Sequence, residues 1–398
     1  MTNRVSSRLE ALAVSETLAM TQKSRELKAK GYDVIDLSIG EPDFDTPMHI
    51  KEAAIQAIHD NITHYSPVPG FADLREAIST KLKRDNQLEY GIDQIVVSNG
   101  AKQSIANVLL SILNPGDEVI VPAPYWVSYP EMVKLAEALP VIVTAGIDQQ
   151  FKISATQLEQ AITPKTRAFI FSSPSNPTGE IYSLEELASL AEVFARHPQI
   201  IILSDEIYEC INYEGGHHSL ASFEAIHDQV VVINGVSKGY AMTGWRIGYM
   251  AGPKWIAQAC TKLQGQYTSG ASSIAQKASV AALLGDQSPV TGMLNIFRER
   301  RDLVVKLLGE IPHLRVNTPP GAFYVLPDVS YYFSKHFNGQ PIGDSTNLSM
   351  YLLNEAHIAP VAGSAFGAPD CLRLSYSTST DLLEKAICRM KSALEKLV

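Results

Sequence analysis

A chain of 398 residues, 45% hydrophobic and 19% charged, is too long for one small core and has the balance of a globular protein of two domains. Its formal net charge of −9, from 33 basic and 42 acidic residues, argues against nucleic acid as the main partner, because phosphate binding asks for a basic face. No apolar stretch approaches a membrane span, and the opening MTNRVSSRLEALAVSETLAM lacks the uncharged core and small-residue cleavage site of a secretion signal.

Helical patterning comes first, over about residues 8–30, followed by Asp36-Leu37-Ser38-Ile39-Gly40, a segment expected to cross between domains. From about residue 47 to 295, short apolar runs alternate with longer amphipathic ones. The short runs are 94–98, 118–122, 141–144, 167–172, 200–204, 229–234 and 246–251. Most are rich in Val and Ile and bounded by Gly, Pro, Asn or Asp. That pattern predicts strands buried on both faces of a mostly parallel sheet. Between them, residues 101–113 read as a helix stopped by Asn114-Pro115-Gly116. Ser183-Leu184-Glu185-Glu186 is a capping box opening a helix to about Arg196. Strand–helix alternation of this kind gives an α/β domain with helices on both faces. Beyond it, FRERRDLVVKLLGEI is helical, 321–326 and 371–376 are strand-like around a loop-rich 331–347, and a last helix covers about 380–396. These pieces are expected to form a smaller α+β domain from both chain ends, residues 1–46 and 296–398, beside a large domain at 47–295.

Ligands in open α/β sheets bind beyond the carboxyl ends of the strands, so the residues following each run are candidates. After Val96-Val97-Ser98 comes Asn99-Gly100-Ala101-Lys102-Gln103-Ser104. A glycine turn into a helix start suits a phosphate, although an ordinary strand–turn–helix reads the same, and neither GxxxxGK[ST] nor GxGxxG is present. Pro122-Ala123-Pro124 leads to Tyr125-Trp126, either core aromatics or a ring displayed for stacking. Ser172-Ser173-Pro174-Ser175-Asn176-Pro177-Thr178-Gly179 is a tight turn whose main polar handle is Asn176. Asp205 ends an apolar run, as a helix cap or as the partner of a buried cation. Cys210, Cys260, Cys371 and Cys388 show no CxxC pair, zinc pattern or disulfide framework. Cys210 and Cys260 read as buried thiols, and a reducing cytoplasm fits. His217-His218 lie in a Gly-rich turn and read as a surface loop, and no metal is expected.

Lys238, in GVSKGYAMTGWRIG, follows Val230-Val231-Val232-Ile233, a run built to be buried. An amine at the edge of a buried site loses hydration and drops in pKa, which makes it a nucleophile near neutral pH; the plain alternative is a solvated lysine after a strand. With Ser237 before it and Arg246 beyond it, the strand ends supply an amine, an acid, an arginine, a phosphate cradle and an aromatic plate. Pyridoxal phosphate needs all of these.

GVSKGYAMTGWRIG resembles the lysine-attachment motif of the class I pyridoxal-phosphate aminotransferases, and SNPTG, SDEIY and PYW match that family in the same order. The resemblance runs from Ser38-Ile39-Gly40-Glu41-Pro42-Asp43-Phe44 to Arg373-Leu374-Ser375-Tyr376, nearly the whole chain. It is nearest to the bacterial aspartate aminotransferase branch carrying PYWVSYPEM and AMTGWRIGY. The implied fold is the fold type I of pyridoxal-phosphate transferases: a large α/β domain with a mostly parallel seven-stranded sheet flanked by helices, a smaller α+β domain, and a homodimer with shared sites.

The resemblance also implies roles. Lys238 attaches the cofactor and then carries the proton between substrate Cα and cofactor C4′. Asp205 pairs with the ring nitrogen. Asn176 and Tyr208 donate to the phenolic oxygen. Gly100, Ala101, Ser237 and Arg246 match phosphate ligands, with Lys102 in the same cradle. Tyr65 matches a tyrosine that reaches the phosphate of the neighbouring subunit, and Trp126 the residue stacked on the ring. Arg373 holds the substrate α-carboxylate, Gly40 lies in the segment that closes over the substrate, and Trp126 and Asn176 border it. Lys102, Ser15 and Thr17 match the residues that hold a distal carboxylate, which favours aspartate and glutamate. Many relatives carry Lys-Pro just before that serine where this chain has Ala13-Val14, which bears on larger dicarboxylates such as prephenate. The expected reaction is therefore aspartate with 2-oxoglutarate. Alternatives are a transaminase for aromatic or neutral amino acids or for prephenate and arogenate, a β- or γ-lyase on the same cofactor, and a ligand-sensing domain of a transcription regulator.

Overall fold

The computed structural model describes residues 5–14 and 16–398. Its centre is a seven-stranded sheet in the spatial order Ile95–Ser98, Gly248–Ala251, Val230–Gly235, Ile201–Asp205, Thr166–Ser172, Glu118–Ala123 and Leu139–Thr144. Gly248–Ala251 runs antiparallel to both neighbours, and the remaining pairs are parallel. Alternate residues of each central strand serve opposite faces, as the two-residue period of a strand requires. Val97, Ile120, Phe169, Ile202 and Val232 enter one core, and Val96, Val121, Ile170, Leu203 and Val231 the other. The seven apolar runs thus become the seven strands.

Two departures have local causes. The last run was expected to start at Arg246, but the strand begins at Gly248. Arg246 caps the 3-10 turn Thr243–Trp245 with a left-handed φ of 57°, which cannot join a sheet. Leu139–Thr144 is an edge strand rather than one buried on both faces, and Leu139 and Ile142 stay 53% and 41% exposed.

Helices cover both faces. Ala101–Ile112 starts straight after the glycine turn. Leu184–Ala195 opens with the capping box, Ser183 accepting from Glu186 N–H and Glu186 accepting from Ser183 N–H. A further core gathers Phe297, Val304, Leu308, Tyr324, Leu348, Leu352, Leu374 and Ile387. Its sheet is Val361–Ala362, Leu372–Ser375 and Tyr324–Val325, backed by Ser345–Ala356 and Thr380–Leu394. Both chain ends meet here: Ile35–Asp36 pairs in parallel with Ile358–Ala359, and Met20 of Glu16–Ala29 packs with Leu353 and Ala359. One helix, Ser288–Gly309, passes from one core to the other; Val290 packs on the first and Phe297 on the second. Among the described residues no helix is long and apolar enough to cross a membrane.

Candidate active site

A cavity of about 550 Å³ opens where the parallel strands end, between the two cores. Each strand delivers one group to it. Asp205 is the last residue of its strand, Lys238 follows Val230–Gly235, Asn176 follows Thr166–Ser172, and Trp126 follows Glu118–Ala123. Ala101 and Lys102, opening their helix, also line it, with Thr17, Gly40, Tyr208, Ser237, Arg246 and Arg373. Gly100 stands just behind this wall: a Cβ there would come 2.4 Å from Arg246 Nη2, and its φ of +86° suits glycine. Two expected residues are elsewhere. Tyr65 is 97% exposed on the outside of the protomer, and Ser15 falls outside the described residues.

Lys238 Nζ donates to the Gly40 carbonyl, tying the Ile39-Gly40-Glu41 segment to the cavity floor. Burial pushes its pKa down to about 8; Glu41 pulls it back up, and Arg246 and Arg373 press it further down. Asp205 is 4% exposed, and burial pushes its carboxyl up to about 6 against the hydrogen bond from Tyr129 Oη to Oδ2 at 2.6 Å. Arg373 is buried between the rings of Tyr324 and Phe366, 4.6 and 4.8 Å from their centroids. It donates to Asn176 Oδ1 at 3.1 Å and to the Ser38 carbonyl, while its Nε is buried with no partner. Tyr208 Oη meets Tyr324 Oη at 2.8 Å, and burial raises the Tyr208 pKa. Lys102 Nζ lies 4.9 Å from the Trp126 ring centroid, its pKa lowered by burial and then by Arg246. Arg246 itself is held by the Thr243 carbonyl at 2.9 Å.

Chemically this is a nucleophilic amine near neutrality, a buried acid with a raised pKa, and cations at opposite sides of one cavity.

Sequence reasoning missed Tyr129 and Tyr324. Tyr129 had a usable signal, since it stands one helical turn after Trp126 and shares its face. The two rings pack edge to face at 5.4 Å. Tyr324 has none, because its contacts come from distant segments. Two smaller readings change. The His217 side chain is only 7% exposed, not part of a surface loop, and its Nε2 meets Glu206 Oε2 at 2.9 Å. Burial works against charging this imidazole, but Glu206 outweighs it and raises the pKa. Glu206, Glu209 and His217 group within 4.8 Å. Lys81 already pairs with Glu209, and Ser204 and Ser219 donate to Glu206. Cys260 is buried as expected, whereas Cys210 is only half-buried.

Residues 32–390 match the family model for aminotransferases of class I and II. The chain is 49% identical to the bifunctional aspartate aminotransferase and glutamate/aspartate-prephenate aminotransferase of Petunia hybrida, over 98% of this chain and 82% of that protein. It is 47% identical to the aspartate/prephenate aminotransferase of Nitrosomonas europaea, over 98% and 100%. In three dimensions it is similar to the aspartate aminotransferase from Rhizobium meliloti, with a TM-score of 0.97, 42% identity and all of both chains covered.

Proposed function

The chain belongs to the class I and II aminotransferases, pyridoxal-phosphate-dependent transaminases, and from that premise we propose that it moves the amino group of L-aspartate to 2-oxoglutarate, giving oxaloacetate and L-glutamate. The observation that carries the substrate is the pair of cations in one cavity, Arg373 and Lys102. A diacid answers both; a neutral amino acid leaves Lys102 in a half-buried place with no counter-charge.

The residues fit the cofactor. Lys238 is a buried amine lowered to about 8, and Asp205 is a buried carboxylate at the end of its strand. Gly100 leaves the space beside Arg246 and the start of Ala101–Ile112 that a phosphate takes, with Ser237 alongside. When bound, pyridoxal phosphate supplies an aldehyde for an amine and a ring that draws off the charge left at Cα.

The chain's own residues do the rest. Arg373 grips the α-carboxylate, and its unpartnered Nε keeps a donor for it. Lys238 takes the Cα proton and returns it to the other carbon. Asp205 holds the proton on the ring nitrogen, and Tyr129 holds Asp205. Asn176 and Tyr208 border the phenolic oxygen, and Trp126 covers the ring face. Lys102 and Thr17 receive the distal carboxylate, with Ser15 as the third member of that set. The Gly40 segment closes over the substrate as the small domain, 1–46 and 296–398, approaches the large domain, 47–295, and excludes water. Tyr65, exposed on one protomer, serves the phosphate of a partner in a homodimer. The free thiols suit a reducing cytoplasm.

A second reading takes prephenate as the amino acceptor. It is favoured by the prephenate activity named for the Petunia and Nitrosomonas relatives. The test is a half-reaction. Holoenzyme is mixed with L-aspartate, L-glutamate, L-phenylalanine or L-arogenate, and the bleaching of its yellow absorbance is timed. Fast bleaching by aspartate and glutamate is expected. Faster bleaching by phenylalanine would overturn the diacid reading, and fast bleaching by arogenate would add the second.

A further inference from the structure

The cavity holds more positive charge than the proposed reaction uses. Arg246 faces the helix start, Arg373 the α-carboxylate, Lys238 the reacting carbon and Lys102 the distal carboxylate. Two acids answer them from the wall: Asp205, bonded to Tyr129, and Glu41, which accepts from Thr243 Oγ1 at 2.9 Å. Arg25 is left over. It lines the same cavity and is exposed, and among the described residues it makes no ion pair.

Its place on the helix Glu16–Ala29 says what it faces. Thr17, Thr21 and Arg25 fall on one stripe, because residues four apart lie above one another. Thr21 fixes that stripe against the substrate site: its Oγ1 lies 3.0 Å from Ser38 Oγ, and the Ser38 carbonyl accepts from Arg373. With a rise of about 1.5 Å per residue, Arg25 stands about 6 Å beyond Thr21 and about 12 Å beyond Thr17. A carboxylate held at Thr17 and Lys102 is out of its reach, whereas one carried further toward the cavity rim is not.

We propose that Arg25 is a specificity-determining residue that receives the outer carboxylate of diacids longer than aspartate, five carbons and above. The proposal rests on the diacid reading of the cavity. An arginine fork binds a carboxylate through paired hydrogen bonds, and an unengaged arginine at the rim of a cationic site has its full donor set to offer.

The test uses holoenzyme, wild type, Arg25→Gln and Arg25→Lys. Calorimetry gives the affinity for succinate, glutarate and the mono-acid butyrate, and steady-state kinetics give kcat and KM for L-aspartate and L-glutamate. In Arg25→Gln, glutarate is expected to bind about fivefold more weakly and KM for L-glutamate to rise in step, the scale of a partly exposed ion pair. The kcat, succinate binding and KM for L-aspartate stay put, and Arg25→Lys recovers part of the loss. Equal loss for succinate and glutarate would reduce Arg25 to a general attractor of anions and overturn the proposal. No loss for either, in an enzyme that still prefers diacids to butyrate, would overturn it while leaving the diacid reading standing. A wild type that binds butyrate as well as glutarate would remove the diacid reading itself.

Discussion

Asp205 shows how one hydrogen bond tunes a catalytic acid. Burial raises its carboxyl to about 6, and Tyr129 opposes that by donating to Oδ2. In the folded state a carboxyl pKa raised in this way means protonation begins as pH falls toward 6, and the ion pair with a ring nitrogen is lost from there downward. Tyr129→Phe removes the only opposing side-chain donor, so the pKa moves higher still. The acid limb of the kcat/KM profile of Tyr129→Phe is therefore expected to shift to higher pH, with kcat down about tenfold, the scale of a hydrogen bond to a charged group. An unchanged acid limb would separate Tyr129 from Asp205. Lys238 and Asp205 were legible in the sequence because each ends a Val/Ile run, and a buried strand fixes where its last residue points. Tyr324, which flanks both Tyr208 and Arg373, was not, because nothing local in Gly321-Ala322-Phe323-Tyr324 says which distant ring or guanidinium it will meet.

At the scale of elements, the turn at Gly100 and the turn at Arg246 work as one piece. Gly100 has φ +86° and no room for a Cβ beside the Arg246 guanidinium, and Arg246 holds a left-handed φ itself. Gly100→Ala is expected to displace the Arg246 guanidinium and to weaken pyridoxal-phosphate binding by tenfold or more, about 1.4 kcal/mol, read by fluorescence titration of the cofactor-free protein. Unaltered affinity would show that this turn does not hold the phosphate. The sheet itself was readable run by run, since hydrophobic runs bounded by turn residues have few other solutions. What escaped was the start of the strand Gly248–Ala251 and the one-sided burial of Leu139–Thr144. Apolar content reports on burial, but not on whether a residue caps a turn or whether a strand lies at a sheet edge. His217 escaped for a related reason: a Gly-Gly turn looks solvated until Glu206 claims the ring from another segment.

For the whole molecule, the exposed Tyr65 makes a prediction about assembly. If each site borrows the partner's Tyr65, a hybrid dimer of Tyr65→Ala with Lys238→Ala has one site with both residues intact and one with neither. Unfolding and refolding the two weak variants together is expected to restore activity to about a quarter of wild type, from one good site in each hybrid. Mixtures no better than their components would place Tyr65 outside the phosphate site.

The pairing of Ile35–Asp36 with Ile358–Ala359 has a consequence for how the chain is made. Residues near 35 leave the ribosome long before their strand partner exists, so Ile35 and Leu37 must wait, apolar and unpaired, through the synthesis of everything between. Closing so long a loop is slow, and a waiting apolar strand is open to mispairing. The central sheet, complete by Ala251, has no such wait. The second core is thus the last part of the molecule to become native, and the Ser38–Glu41 segment that borders the cavity is finished only when it does.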